Sequence, residues 1–280
     1  MPLLERLGIA APVVQAGMGG GVSRHELAAA VSDAGGLGTI AVGGADEIAR
    51  ELAAARALTA RPLAVNLLLP FAQEDWFAAA ASADVVVTFW GEPRRRTPGV
   101  WLHQCGSVAE AIAAHAAGAD GAIVQGVEAG GHVRGSTPAL ELLAAARAAL
   151  PAGFPLLLAG GIADRGEVER ALEAGACAAV AGTRFLLSEE SRAHPDYKRR
   201  LLAAEETLLT ELFGLGWPEA PHRVVPNAAT AKGDGPLTPV PAVDDGPASL
   251  VDGGPLYAGE TVARIHDVRP AGELVRALTP

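Results

Sequence analysis

The seven residues GVEAGGH, at positions 126 to 132, place three glycines and one acid ahead of a histidine. Histidine has an unperturbed pKa of about 6.5, so its neutral imidazole can accept a proton near neutral pH. Such a side chain acts as a general base when it lies within hydrogen-bonding reach of a bound substrate. His132 is therefore the candidate catalytic residue, provided that the fold brings it to a pocket.

The other candidate residues are amides and glycines that end short aliphatic runs, among them Asn66, Gln104 and the pair Gln125-Gly126. Neutral donors and acceptors of this kind suit the edges of a planar heteroaromatic ligand. They do not suit a metal ion, because His132 has no evident histidine or carboxylate partner. We therefore predict no metal site.

The elements that position these residues alternate between strand and helix patterns. The predicted strands are residues 12–16, 37–42, 63–67, 85–89, 100–104, 121–125, 156–159 and 178–181, and the predicted helices are residues 23–34, 45–58, 74–81, 107–117, 138–150 and 167–174. Ser23 and Ser107 stand at predicted N-caps. Residues 91–98 are too few for a helix between the fourth and fifth strands.

Eight strands in series favour an α/β protein with a (β/α)8 TIM barrel, in which functional residues lie at the carboxyl ends of the strands. An open, doubly wound sheet is the alternative. No G-x-G-x-x-G fingerprint follows the first predicted strand, which weakens that alternative.

The last two predicted strands end in Gly160-Gly161 and in Gly182-Thr183. In barrels, the loops after these two strands form a phosphate site, because free backbone N–H groups converge there and glycine allows a close approach. The same glycines could instead serve only tight turns between strand and helix. The pairing of two such turns, with a hydroxyl at Thr183, favours the phosphate site.

Composition narrows the classes of function. The 280 residues carry a net charge of −10 without a long basic run, which argues against binding of nucleic acid. Cys105 and Cys177 have neither zinc-site nor disulfide-framework spacing. With no signal-peptide pattern and no apolar run long enough to span a bilayer, we expect a soluble protein of the cytoplasm that does not bind membranes.

The chain is predicted to divide into a barrel at residues 1–217 and an extension with a C-terminal segment at residues 218–280. Residues 218–260 are rich in Pro, Gly and Asp and are predicted as irregular coil. A loop of that length in a compact protein is usually functional or disordered. We expect it to cover the mouth of the barrel.

Four stretches together resemble the nitronate monooxygenase family, also called 2-nitropropane dioxygenases. They are PVVQAGMGGG near the start, QGVEAGGHVRG at residues 125–135, LLLAGGIADRG with AGTRFLLSEES, and the late PLYAGETVARIHDVRP. The resemblance covers nearly the whole chain and implies a TIM barrel that binds FMN. The same motifs occur in flavin-dependent enoyl reductases.

The resemblance also implies roles for individual residues. Contacts with the isoalloxazine and ribityl groups would come from Ala16, Gly17, Met18, Asn66, Gln104, Gly126 and Gly131, and the FMN phosphate would be held by Gly160, Gly161, Gly182 and Thr183. His132 matches the family's active-site histidine, and Tyr257 would lie near the substrate. Two departures affect the rim of the pocket: Gly17 replaces the family's proline, and the segment at residues 91–99 is short.

The implied reaction is the oxidation of alkyl nitronates, and by extension nitroalkanes, by O2 to a carbonyl compound and nitrite. The alternative is an NAD(P)H-dependent flavin reductase acting on an enoyl thioester, which the acidic charge balance disfavours. A third reading, a flavin-binding protein without catalysis, is disfavoured by His132. The expected partners are a small-molecule substrate and O2, and a homodimer is left open.

Overall fold

The computed structural model describes residues 3–217, 219–234 and 237–280. Eight parallel strands form one sheet, in the order residues 13–15, 178–181, 156–159, 121–125, 100–105, 85–89, 63–68 and 38–40. The edges meet at a parallel bridge between Val14 and Leu37, which closes the sheet into a barrel. The predicted (β/α)8 TIM barrel is therefore confirmed.

Eleven strands run along the described chain, eight of them in the barrel. They are β1 Val13–Gln15, β2 Gly38–Ile40, β3 Leu63–Leu68, β4 Val85–Phe89, β5 Val100–Cys105, β6 Gly121–Gln125, β7 Gly131–His132, β8 Leu156–Ala159, β9 Ala178–Ala181, β10 Leu208–Thr210 and β11 His222–Val224. The helices are α1 Leu3–Leu7, α2 His25–Asp33, α3 Ala45–Leu58, α4 Glu74–Ala80, α5 Val108–Ala116, α6 Ala139–Ala149, α7 Arg165–Glu173, α8 Thr183–Leu186, α9 Pro195–Leu202, α10 Ala228–Lys232, α11 Ser249–Gly253 and α12 Ala271–Leu278, with a 3-10 helix at Glu260–Arg264.

Alternation along each strand separates the interior of the barrel from the helical layer. Leu102 and Ile123 pack in the interior cluster, and the residues two positions later, Gln104 and Gln125, line a cavity at the carboxyl ends of the strands. Cys105, the residue after Gln104, lies on the opposite face and packs with the helices in the outer layer. The period of two therefore fixes which amides face the mouth of the barrel.

The predicted helix ends agree with the structure to within one residue, except at the starts of α2 and α7. Helix α7 begins at Arg165, two residues before the predicted start, and is capped by Asp164. Ser107 caps α5 by accepting a hydrogen bond from the backbone N–H of Glu110.

Ser23 does not cap α2, since the N-cap is Arg24 and makes no side-chain cap. The hydroxyl of Ser23 instead lies 3.0 Å from the backbone nitrogen of Met18 and 3.2 Å from its carbonyl oxygen. Ser23 thus stabilises the loop after β1 and not the helix.

The chain beyond β9 is more ordered than predicted. Strand β11 pairs with β10 and with β7, which forms a small antiparallel sheet above the barrel. The last helix, α12, returns to the outer layer and packs against α2 and α7. The described residues include no helix long and apolar enough to cross a membrane. The division of the chain at residue 218 stays a prediction.

Candidate functional site

A cavity of about 370 Å³ opens at the carboxyl ends of the barrel strands. Its floor comes from strand ends and the loops that follow them. Its upper wall comes from Trp217, Pro239, Pro241 and Tyr257, which belong to the region after the barrel strands. Pockets of this size and position are usual for ligands of TIM barrels.

The structure brings almost all of the candidate residues to this one cavity. Its lining includes Ala16, Gly17, Met18, Asn66, Gln104, Gly131, His132, Gly160, Gly161, Gly182 and Thr183. Gly126 is not part of the lining. A Cβ atom at Gly126 would lie 2.4 Å from the Cα atom of Ala139, so this glycine allows β6 to end against the start of α6. A role for Gly126 in binding a cofactor stays a prediction.

The side chain of His132 is buried in an aromatic cluster. Its ring stacks on Trp217 at a centroid distance of 4.0 Å and an interplanar angle of 26°. The Trp90 ring lies edge-on at 6.1 Å, and the Tyr257 ring is tilted at 5.6 Å. Within the described part of the chain, the buried Nε2 atom of His132 has no hydrogen-bond partner. The protein thus leaves this polar atom, beside the cavity, without a hydrogen bond.

Electrostatics keep the imidazole of His132 neutral. Burial, with a smaller contribution from His222, lowers the pKa of His132 from 6.5 to about 3. Burial also lowers the pKa of His222. The His222 ring is held in its neutral form, because its Nε2 atom accepts a hydrogen bond from the backbone of Phe213 and its Nδ1 atom lies 2.9 Å from the carbonyl oxygen of Ala220.

The turn that presents His132 is fixed from both ends. The Gln125 side chain donates to the carbonyl of His132 at 2.9 Å and accepts from the backbone N–H of Arg134 at 3.1 Å. Strand β7 pairs with β11, with His132 opposite His222. Arg223, in β11, donates to the carbonyl of Val127 at 2.9 Å. The catalytic candidate therefore depends on a strand far away in sequence.

Glu128, within the same turn, binds the backbone at the start of α6. Both of its carboxylate oxygens accept from the backbone N–H of Ala139, at 3.1 and 3.0 Å. Ala139 is the first residue of α6, where backbone N–H groups lack partners and negative charge is favoured. Glu128 therefore anchors the turn to the helix that follows it.

The glycines after β8 and β9 suit a phosphate. Gly160 and Gly161 have φ angles of +106° and +74°, a backbone conformation that other residues rarely adopt. The hydroxyl oxygen of Thr183 accepts a hydrogen bond from the backbone N–H of Gly259 at 2.9 Å, which leaves its hydrogen free to donate. This cradle fits an anion without a basic side chain.

Gly17, which stands where the family has proline, lies too close to Asn66 to carry a side chain in this structure. A Cβ atom at Gly17 would lie 2.5 Å from the Cβ atom of Asn66, closer than real contacts allow. The loop after β1 thus approaches the end of β3 because residue 17 has no side chain.

Several lining residues were not identified from the sequence. Trp217 is the main one, together with Leu68, Phe71, Trp76 and Phe89. Phe89 ends a predicted strand, so period two could have indicated that it faces inward. Trp217 lies in an irregular segment, and no local pattern marks it.

One group of possible metal ligands lies outside the cavity lining. Ligand atoms of His25, Glu26 and Glu51 lie within 4.8 Å of one another. Both oxygens of Glu51 are already engaged, by Arg24 at 3.2 Å and by His25 at 2.7 Å. The guanidinium of Arg24 disfavours a cation there, so this group is better explained as an ion-pair network between α2 and α3.

Comparison with known proteins agrees with the geometry. The family described as nitronate monooxygenase matches residues 1–92 and 92–280. A nitronate monooxygenase of Pseudomonas aeruginosa is 34% identical over 344 aligned positions, which cover 97% of this chain and 96% of the relative. The alignment has more positions than this chain has residues, so the relative carries insertions.

Two solved structures share the fold over nearly the whole chain. Nitroalkane oxidase from Streptomyces ansochromogenes has a TM-score of 0.83 at 32% identity, covering 98% of this chain and 96% of that one. FabK from Thermotoga maritima has a TM-score of 0.84 at 26% identity, covering 99% and 94%. With the barrel, the glycine cradle and His132 at one cavity, the chain belongs to the nitronate monooxygenase family, a family of flavin-dependent oxidoreductases.

Proposed function

We propose that this protein uses FMN and O2 to oxidise alkyl nitronates, and more slowly nitroalkanes, to carbonyl compounds and nitrite. In the balanced reaction, two nitronates and one O2 give two carbonyl compounds and two nitrite ions. The observation that carries the proposal is the buried, unpartnered Nε2 atom of His132 at the cavity of a chain in this family.

The lining residues fit the cofactor. The isoalloxazine and ribityl groups would lie against Ala16, Gly17, Met18, Asn66, Gln104 and Gly131, and Gly160, Gly161, Gly182 and Thr183 would hold the phosphate. When bound there, FMN supplies an electron acceptor for the nitronate and a route to O2. The protein's own part is placement of the substrate, exclusion of water and handling of a proton.

His132 handles the proton. A neutral nitroalkane must lose its α-proton before it can be oxidised, and the neutral imidazole of His132 can accept that proton. The pKa of about 3 disfavours the imidazolium while the cavity is uncharged. The nitronate anion formed beside it raises the pKa again, because opposite charges favour the charged form. Preformed nitronates avoid this cost, and we therefore expect them to be the better substrates.

The aromatic cluster excludes water from the reacting atoms. Trp217 is 5% exposed and Trp90 is 9% exposed, and both contact the His132 ring. A water-poor site strengthens the interaction between the imidazolium and the nitronate anion. Tyr257 stays protonated because burial raises its pKa. Its hydroxyl donates a long hydrogen bond of 3.5 Å to the carbonyl of Pro239, and it would exchange this bond for one to an anionic oxygen.

Anaerobic stopped-flow mixing of the FMN-loaded protein with ethyl nitronate tests the proposal. We expect rapid loss of the oxidised flavin absorbance, followed in air by O2 uptake and nitrite release. Rapid reduction by NADH or NADPH, with no reaction with nitronates, would contradict the proposal.

The second candidate is an NAD(P)H-dependent flavin reductase acting on enoyl thioesters. The similarity to FabK over 99% of the chain favours it. The same stopped-flow experiment separates the two candidates, because a reductase must be reduced by the nicotinamide cofactor alone.

A further inference from the structure

The cavity of the candidate site carries almost no charge. Among its described lining residues there is no lysine and no arginine, and the only carboxylate is that of Glu128. Glu128 is already engaged with the start of α6. A second negative charge on a substrate, beyond that of the nitronate group, therefore finds no cation in this cavity.

A group of arginines lines a different cavity. Arg94, Arg96 and Arg134 line a surface pocket that shares no lining residue with the first. Each of them is paired with a glutamate at 2.6 to 2.7 Å: Arg94 with Glu92, Arg96 with Glu74 and Arg134 with Glu110. The charge of each of these arginines is therefore balanced by its glutamate partner.

One part of the cavity wall is apolar and aromatic. It includes Leu68, Phe71, Trp76, Phe89, Trp217 and Tyr257, of which Trp217 and Tyr257 lie against the His132 ring. Phe71 is 40% exposed and lies edge-on to Trp217 at a centroid distance of 5.4 Å, which places it at the rim. Such a wall stabilises methylene groups by removing them from water, and it penalises a carboxylate that loses its hydration without a partner.

We propose that the carbon chain of the substrate is apolar and uncharged, so that the enzyme selects alkyl nitronates and discriminates against carboxylated ones. This inference rests on the proposed function. Leu68 and the aromatic residues at the rim set the preference, and His132 and the cofactor site are common to both kinds of substrate.

Steady-state oxidation of a series of nitronates tests the proposal on the FMN-loaded wild-type protein. We expect kcat/KM to rise about two- to fourfold per methylene from ethyl to butyl nitronate. Propionate 3-nitronate, similar in size to butyl nitronate but carrying a carboxylate, should have a kcat/KM lower by about tenfold or more. Equal or higher kcat/KM for propionate 3-nitronate would overturn the inference.

A gain-of-function variant tests whether the absence of a cation causes the preference for uncharged substrates. Phe71→Arg places a cation at the rim, and we expect it to raise kcat/KM for propionate 3-nitronate about tenfold while lowering that for butyl nitronate. Ile112→Arg is the matched control, because Ile112 is 44% exposed on α5 and does not line the cavity. If Phe71→Arg leaves the ratio of the two kcat/KM values at the wild-type level, the missing cation does not set the preference and the proposal is wrong.

Flavin reduction under nitrogen separates nitronate oxidation itself from the preference among nitronates. If no nitronate reduces the bound flavin under nitrogen, the proposed function is wrong and the substrate class is wrong with it. If every nitronate reduces the flavin with the same second-order rate constant, the proposed function stands and only the inferred preference is wrong.

Discussion

The imidazole of His132 lies on the indole of Trp217, with ring centroids 4.0 Å apart and planes inclined by 26°. One ring comes from β7 and the other from the irregular segment that follows β10. The stack fixes the orientation of the His132 ring and helps to bury it. The chemistry of the site therefore depends on a contact between distant parts of the chain.

Replacement of His132 by alanine should separate the two kinds of substrate. We expect His132→Ala to retain FMN, to lose about 10²- to 10⁴-fold in the rate of flavin reduction by neutral nitroalkanes, and to lose less than about tenfold with preformed nitronates. The reason is that only the nitroalkane needs the proton acceptor. Anaerobic stopped-flow absorbance measures both rates, and equal losses for the two substrates would show that His132 is not the base.

Replacement of Trp217 should change the pKa of His132. In Trp217→Ala, the cavity left by the indole costs about 3 to 5 kcal/mol of stability and admits water to the imidazole. We expect the pKa of His132 to rise from about 3 toward 6.5, because less burial penalises the imidazolium less. Flavin reduction by a neutral nitroalkane should then acquire an acid limb between pH 4 and about 6.5.

Trp217→Phe retains an aromatic ring and should keep the wild-type pH profile. Leu215→Ala is the control for a change in the same segment, since Leu215 is 55% exposed. An unchanged pH profile in Trp217→Ala would mean that the other aromatic neighbours alone keep His132 desolvated.

Gly17 should favour cofactor binding in this chain for steric reasons. In Gly17→Ala, the new Cβ atom would lie 2.5 Å from the Cβ atom of Asn66, so either the loop after β1 or the Asn66 side chain must move. We expect the Kd for FMN, measured by quenching of flavin fluorescence, to rise about tenfold. Gly253→Ala is the control for a glycine-to-alanine change outside the cavity, because nothing lies within 4 Å of a Cβ atom there. Wild-type affinity in Gly17→Ala would show that Asn66 moves at little cost.

The sequence predicted the barrel well because its strands carry strong local signals. Strands β4, β6, β8 and β9 have the predicted bounds. In β6, β8 and β9, an aliphatic run ends at a glutamine or directly before a glycine. The residues that end these strands then lie near one another, because the carboxyl ends of all barrel strands are at the same end of the barrel. This accounts for the convergence of Asn66, Gln104 and the Gly160-Gly161 pair on one cavity.

The upper half of the site could not be predicted in the same way. Strand β7 has two residues and β11 has three, which is too short for any period to be visible. Their pairing sets His132 opposite His222, a contact that no local pattern encodes. Ser23 shows a related failure: its type and position suited an N-cap, but the loop after β1 competes for its hydroxyl.

His103 should make the stability of the protein depend on pH. Burial lowers the pKa of His103 from 6.5 to about 4, with opposing contributions from Glu110, which raises it, and Arg134, which lowers it. The unfolded chain therefore binds more protons than the folded one between pH 4 and about 6.5, so stability falls as the pH falls through this window. From pH 7 to pH 5, we expect His103 to account for a loss of about 2 kcal/mol in the free energy of unfolding.

Urea denaturation at a series of pH values measures this dependence. His103→Gln should reduce the slope of the free energy of unfolding against pH near pH 5 by about one proton, even if the variant is less stable overall. His266→Gln, at an exposed position, controls for the loss of a histidine. If the slope near pH 5 is the same in His103→Gln as in the wild type, His103 is not a buried neutral histidine that must be protonated on unfolding. Because His132 and His222 are shifted in the same direction, some dependence on pH should remain in the variant.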